Sequence, residues 1–294
     1  MELLTPDQIN HYRRSGYLTV PDRIPPETIE ALRVEVAQFE VLARGMRRSD
    51  GRIDLEDSHT PEAPRIRRIK RPDLISPVVQ SLMRSDAILA PVRDLLGPDI
   101  RLHTTKLNMK KAGYGAAVEW HQDFAFYPHT NDDVLAIGIT LDDIGAENGP
   151  LMVFPGTHQG PIFDHHEGGV FHGAMNLAAA GLDPADAVPL HVKAGSITIH
   201  HGRIVHGSAL NRSDRDRRLL FIEAMAADAF PIMGAMTRFE DISEYDALML
   251  CGRPTLTPRL AQVPVRIPQP QPAAHGSIYE IQSGHRARSF ETSE

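Results

Sequence analysis

Seven short runs rich in apolar and β-branched residues, at 100–109, 117–124, 134–141, 151–154, 196–200, 204–208 and 219–224, are separated by Gly, Pro, Asn and Asp. Strands this short and this numerous pack as a sandwich or close into a barrel. The chain before them reads as helical. Thr5-Pro6-Asp7-Gln8 places a capping hydroxyl before a proline at the first helical position, and Gly16 closes that helix ahead of a strand at 17–20. A second helix starts at Pro25-Pro26-Glu27 and carries Ile29, Leu32, Val36 and Phe39 three or four apart. Polar residues without periodicity make 50–64 a loop, and 78–96 reads as helical with an interruption at Pro91. The expected fold class is mainly β with flanking helices, in a single domain over 1–294. Its parts are a helical portion at 1–98, a β core at 99–230 and a C-terminal segment at 231–294, whose proline-rich stretch 264–272 is an extended surface arm.

Composition narrows the function. With 41% hydrophobic and 23% charged residues the 294-residue chain is globular rather than disordered. No apolar stretch approaches the ~18 residues that span a bilayer, and the start lacks a basic segment followed by an apolar one, so neither secretion nor membrane insertion is expected. The single Cys251 rules out a disulfide framework or a cysteine metal cluster and suits a reducing, cytoplasmic setting. Thirty-one basic against 38 acidic residues give a net charge of −7, poorly suited to nucleic acid. The basic run Arg65-Ile-Arg-Arg-Ile-Lys-Arg71 therefore reads either as a solvated edge strand or as a wall recognising an acidic substrate. Fifteen histidines remain as candidate metal ligands.

Trp120-His121-Gln122-Asp123 sets a histidine and a carboxylate two apart, on one face of a strand, where they can share a metal ion. His206, on another β-like run, is a candidate third ligand. Two histidines and a carboxylate on one side of a metal leave positions open for oxygen and a cosubstrate, the pattern of non-haem iron(II) sites. In 134–141 the odd positions are large and Ala136, Gly138 and Thr140 are small. The large face suits packing under helices; the small face either leaves room for a ligand or tapers a filled barrel. Among the arginines between Arg212 and Arg218, Arg217 stands at the entry to a strand expected beside that of His206, where a guanidinium could grip a carboxylate. His200 is read as structural, though its strand parity lets it support the site. His158 holds a turn, and His165, His166 and His172 belong to a loop over the barrel mouth that could act as a lid. Lys106 and Tyr127 are the substrate-contact candidates.

Five segments together resemble the phytanoyl-CoA dioxygenase family of iron(II)/2-oxoglutarate-dependent oxygenases: Lys106-Leu-Asn-Met-Lys110, Trp120-His-Gln-Asp-Phe124, 147–158, Ala194-Gly-Ser196, and His206-Gly-Ser-Ala-Leu-Asn211 with Arg217 eleven residues past the histidine. The resemblance implies a double-stranded β-helix, or jelly-roll. It implies His121, Asp123 and His206 as iron ligands, Arg217 as partner of the 2-oxoglutarate C5 carboxylate, and Asn108, Thr140 and Ser208 as further 2-oxoglutarate contacts. Fe(II), 2-oxoglutarate and O2 are the implied cofactor and cosubstrates, and the implied reaction is oxidation of a small organic molecule with release of succinate and CO2. Halogenating relatives have a small residue where this chain has Asp123, so hydroxylation is the expected outcome. Two other readings stay open: a zinc hydrolase on the same ligands, and a catalytically silent barrel that binds a metabolite.

Overall fold

The computed structural model describes residues 4–113, 115–233, 241–273 and 277–290. Parts of the expected C-terminal segment, 234–240, 274–276 and 291–294, lie outside them, as do the first three residues.

The helical portion runs α1 (Pro6–Ser15), β1 (Tyr17–Val20), α2 (Pro26–Ala43), β2 (Ile53–Leu55), β3 (Ile66–Lys70), α3 (Pro77–Leu82) and α4 (Asp86–Leu96). The β core follows with β4 (Ile100–Lys110), β5 (Val118–His121), β6 (Val134–Thr140), β7 (Leu151–Val153), β8 (His166–Glu167), β9 (Val170–Phe171), α5 (Leu177–Ala180) and β10 (Val188–Pro189). It continues through β11 (Ile197–His201), β12 (His206–Ser208) and β13 (Arg217–Ala226) to α6 (Ile242–Asp246), β14 (Met249–Cys251) and α7 (Ile278–Gln282).

Two large antiparallel sheets result, with β8 and β9 as a separate two-stranded pair. The larger has the order β1-β11-β6-β13-β4-β3-β2, with β14 also on β4; the smaller has the order β10-β7-β12-β5. Facing each other, they form the jelly-roll that the many short strands imply. Leu135, Ile137 and Ile139 of β6, with Leu141 just beyond it, lie in one buried cluster with Ile29, Leu32 and Val36 of α2 and Ile88 and Val92 of α4. The large face of 134–141 thus packs under the helices. Its small face is filled: Ala136 clusters with Leu219 and Phe221, and a Cβ on Gly138 would meet Thr198 Oγ1 at 2.6 Å and Phe221 at 3.1 Å. Of the two readings of that face, the tapered, filled barrel is the one observed.

Helix α1 has its expected ends. Thr5 and Gln8 cap reciprocally, and Gly16, at φ +80, terminates it beneath the His158 ring, which any Cβ there would strike. His158 in turn contacts the Arg13 carbonyl at 3.1 Å, fastening α1 to the barrel. Elsewhere the elements depart from the sequence reading. The 78–96 helix breaks at 83–85 into α3 and α4, and Pro91 lies inside α4 without ending it. Proline removes the N–H that would bond the Ala87 carbonyl; the Arg23 Nε supplies the donor instead, at 2.9 Å. The expected loop 50–64 contains β2, whose three residues are too few for a period to show, and whose central Asp54 is buried because two cations of β3 pair with it. That makes β3 an interior strand, flanked by β2 and β4, so the solvated-edge reading of 65–71 is corrected.

Candidate active site

The β12–β5 ladder places His206 directly opposite His121, with ring centroids 4.1 Å apart. Strand β5 ends there. Gln122 keeps an extended backbone, and Asp123 opens a short 3-10 turn instead of lying within a strand through 124. The ladder stops because backbone N–H groups are diverted: Gln122 donates to His165 Nε2 at 3.0 Å, and Phe124 to the Gly202 carbonyl. The extended Gln122 still returns Asp123 to the side of His121.

Each histidine has its Nδ1 on the carbonyl two residues back, His121 on Glu119 at 2.8 Å and His206 on Ile204 at 3.0 Å. A carbonyl can only accept, so Nδ1 carries the proton and Nε2 presents a lone pair, as a metal ligand must. The Nε2 atoms of His121 and His206 lie 3.6 and 3.8 Å from the Asp123 carboxylate. Among the described residues this is the one group of His, Cys, Asp and Glu able to hold a metal, with all donor atoms within 4.8 Å of one another. Burial alone would favour a neutral Asp123, but Lys106 and the neighbouring histidines overcome it and hold the carboxyl well below its usual range. Burial and the adjacent His121 push His206 well below the ordinary histidine range, keeping it neutral. His200 joins the group, its Nε2 3.3 Å from Asp123 Oδ2, so it both packs and supports the site.

These side chains line a cavity of about 400 Å³ between the sheets. Arg217 reaches it from β13, which pairs with β4 and β6 in the larger sheet and not beside β12; the guanidinium approaches from across the barrel. It is 2% exposed and donates only to the Gly149 carbonyl, through Nε and Nη2 at 3.1 and 2.8 Å. Burial lowers it to about 10, which leaves it charged at neutral pH. Arg218 instead grips Asp142 on the far face, and Arg215 is exposed. Asn108 and Ser208 line the same cavity, and the Asn108 Oδ1 is buried without a hydrogen-bond partner. Thr140 does not line it; its hydroxyl faces the Lys193 and Ser196 carbonyls at 2.7 and 3.1 Å.

Lys106 and Tyr127 are both on the cavity wall, and Lys106 pairs with Glu223 at 2.5 Å. Burial opposes charge on Lys106, yet Glu223 and Asp123 raise its pKa overall. Burial, reinforced by the same two carboxylates, raises Tyr127 well above its ordinary value. The expected lid is elsewhere: none of 160–173 lines the cavity, and His165 is buried beneath it, its Nδ1 donating to the Phe163 carbonyl. Ile278 and Tyr279 of α7 line the cavity instead. Lys110 was overlooked in the sequence. It is buried beside Arg217, bonds only the Ser208 and Ala209 carbonyls, and burial and that arginine drive its pKa well below normal. Its signal was the alternation of 106, 108 and 110 along one face of β4. Glu223 could have been found likewise, from the parity it shares with Arg217.

A family model described as phytanoyl-CoA dioxygenase (PhyH) matches residues 12–219. The chain belongs to this family. It is 36% identical over 280 residues to a probable alpha-ketoglutarate-dependent hypophosphite dioxygenase of Stutzerimonas stutzeri, covering 94% of this chain and 96% of that protein. It is 30% identical to an L-proline trans-4-hydroxylase of Streptomyces griseoviridis, over 72% of this chain and 82% of the relative. Among solved structures, EctD from S. alaskensis with bound Fe superposes with a TM-score of 0.64 at 22% identity, over 76% of this chain and 77% of that one, which supports the fold. This member of the phytanoyl-CoA dioxygenase family is accordingly an oxidoreductase of the iron(II)- and 2-oxoglutarate-dependent dioxygenase class. No helix among its described residues is long and apolar enough to cross a membrane.

Proposed function

We propose that His121, Asp123 and His206 hold iron(II), that Arg217 binds the C5 carboxylate of 2-oxoglutarate, and that the enzyme hydroxylates a C–H bond of a small molecule. The observation that carries this reading is the convergence, in one cavity, of three donors with free lone pairs and a buried guanidinium that no carboxylate among the described residues neutralises. Overall, substrate C–H, O2 and 2-oxoglutarate become substrate C–OH, succinate and CO2. The metal, when bound, supplies the redox chemistry that activates oxygen at positions the three protein ligands leave open.

The residues of the chain do the rest. The carbonyls of Glu119 and Ile204 fix the tautomers of His121 and His206, and His200 braces the Asp123 carboxylate from the outer side. Arg217 offers two N–H groups to a carboxylate, with Asn108 and Ser208 beside it, while the buried Lys110 donates to the Ser208 and Ala209 carbonyls and so fixes that part of the wall. Thr140, whose hydroxyl faces backbone carbonyls, has no part in this reading. Lys106, further along β4, and Tyr127 contact substrate. The buried wall keeps water from the reacting atoms.

A zinc hydrolase leaves the unneutralised Arg217 without a purpose, and a silent barrel leaves the intact donor set without one. A small-molecule substrate fits the cavity, which must hold metal and cosubstrate as well. The single Cys251, a free thiol, fits a reducing cytoplasm. Anaerobic addition of iron(II) and 2-oxoglutarate tests the proposal: a visible charge-transfer band is expected, and its absence with iron demonstrably bound would refute the oxygenase mechanism.

A further inference from the structure

The proposed iron and 2-oxoglutarate chemistry gives Arg68 and Lys70 no task on the cavity wall they share with Lys106 and Asn108. That wall is built by β3 and β4, whose register sets Arg68 opposite Asn108 and Lys70 opposite Lys106. Arg68, Lys70 and Lys106 all line the cavity, with Arg71 at its edge. Two lysines directly across an antiparallel ladder repel each other, and such a pair costs stability unless something negative stands between them.

The counter-charges within the protein do not fully meet that need. Arg71 is matched by Asp73 through two hydrogen bonds, and Lys106 by Glu223. Arg68 and Lys70 share one buried carboxylate, Asp54, at 2.9 and 2.6 Å; the other acid beside Lys70 is the exposed Asp50, whose carbonyl it meets at 3.3 Å, so at the buried wall two cations face one carboxylate. Neither is free to turn to solvent, their side chains being 12% and 23% exposed. Further along β4, where Lys110 lies opposite Arg217 of β13, the Arg217 guanidinium is the cation suited to the cosubstrate's carboxylate. A cavity of about 400 Å³ that also houses a metal and a ten-atom cosubstrate accommodates a compact third occupant.

Resting on the reading of the site as an iron/2-oxoglutarate centre, we infer that the substrate is a compact oxyanion whose charged head lies between Lys70 and Lys106, within reach of Arg68. The anion relieves the cross-strand repulsion and holds the rest of the molecule toward His121, Asp123 and His206. The identity of the S. stutzeri relative, named for a small phosphorus oxyanion, agrees in charge class.

The test uses the full chain loaded anaerobically with iron(II) and 2-oxoglutarate. It is titrated with hypophosphite, methylphosphonate and acetate, and with two uncharged counterparts, acetamide and dimethyl methylphosphonate. At least one oxyanion should perturb the visible band and, on admission of oxygen, stimulate succinate release; the neutral probes should do neither. Lys70→Gln should weaken that oxyanion by about tenfold or more, the worth of a charge-assisted hydrogen bond, while 2-oxoglutarate affinity read from the same band changes little. Asp54→Asn, which frees both cations, should tighten it. The inference is overturned if neutral probes bind as well as the anions, if no anion perturbs the band, if the anions merely displace 2-oxoglutarate, or if Lys70→Gln leaves their affinity unchanged. If the parent protein forms no band at all, the iron/2-oxoglutarate reading has failed instead.

Discussion

At the scale of single residues, the donor set is defined by what its members cannot do otherwise. With their Nδ1 protons on backbone carbonyls, His121 and His206 have only Nε2 to offer, and no other protein group takes it. Replacing either with Ala removes one of three ligands, so iron content and turnover should collapse while circular dichroism stays native; full iron in either purified variant would sink the assignment. Asp123→Gly should behave differently. It opens a metal position but leaves both histidines and Arg217, so the anaerobic band persists while hydroxylation is lost. Arg217→Ala should raise the 2-oxoglutarate requirement roughly ten- to a hundredfold with iron content retained. Arg218→Ala, which breaks the bidentate pair with Asp142 outside the cavity, should cost stability but leave that requirement near normal. A titration in which Arg218 carried the effect would show that the wrong arginine had been chosen.

Among the elements, the sequence is most legible where period and cap agree, as in α1, in β6 with its large and small faces, and in the helix-then-strand order. It is least legible where a distant partner decides. β2 exists because Arg68 and Lys70 bury Asp54, a pairing across fourteen residues or more that no local window contains. β5 ends at His121 because His165, 43 residues on, captures the next N–H. The site shows the same division. The pairing of His121 with Asp123 was readable from spacing, His206 was only a candidate until the family resemblance joined it to them, and Arg217 was assigned to the neighbouring strand although it arrives from the opposite sheet. Pro91 is the plainest case, since the Ala87 carbonyl it leaves unbonded within helix α4 is met by the distant Arg23. Arg23→Met should therefore cost about 1 kcal/mol in urea unfolding. In a Pro91→Ala background the restored N–H can bond the Ala87 carbonyl, so the Arg23 substitution should cost measurably less. Equal costs in both backgrounds would mean that Arg23 acts by some other contact.

For the molecule as a whole, the buried histidines tie stability to pH. Burial holds His129, His165 and His201 down at about 3, against 6.5 for an exposed histidine. Each has a backbone partner that suits the neutral ring. His129 Nδ1 meets the Tyr127 carbonyl, His165 receives the Gln122 N–H at Nε2, and His201 Nδ1 receives that of Arg203. Their folded-state affinity for protons is depressed, so the unfolded chain binds more protons anywhere between pH 6.5 and 3. The stability they contribute is present in full above 6.5 and is lost as pH falls toward 3. The three protons of these rings correspond to a slope of up to about 4 kcal/mol per pH unit inside that window, and His206, likewise depressed, adds to the loss in the metal-free protein. Asp123, also depressed, adds a loss of the same sign only below the ordinary carboxylate range. Urea midpoints of the metal-free protein should thus fall steeply from pH 6 to 4.5, above the range where carboxylates dominate, and change less between pH 8 and 7, where of these groups only the buried Lys110 adds a loss of the same sign. A protein equally stable at pH 7 and pH 5 would show that these rings accept protons without leaving their buried positions.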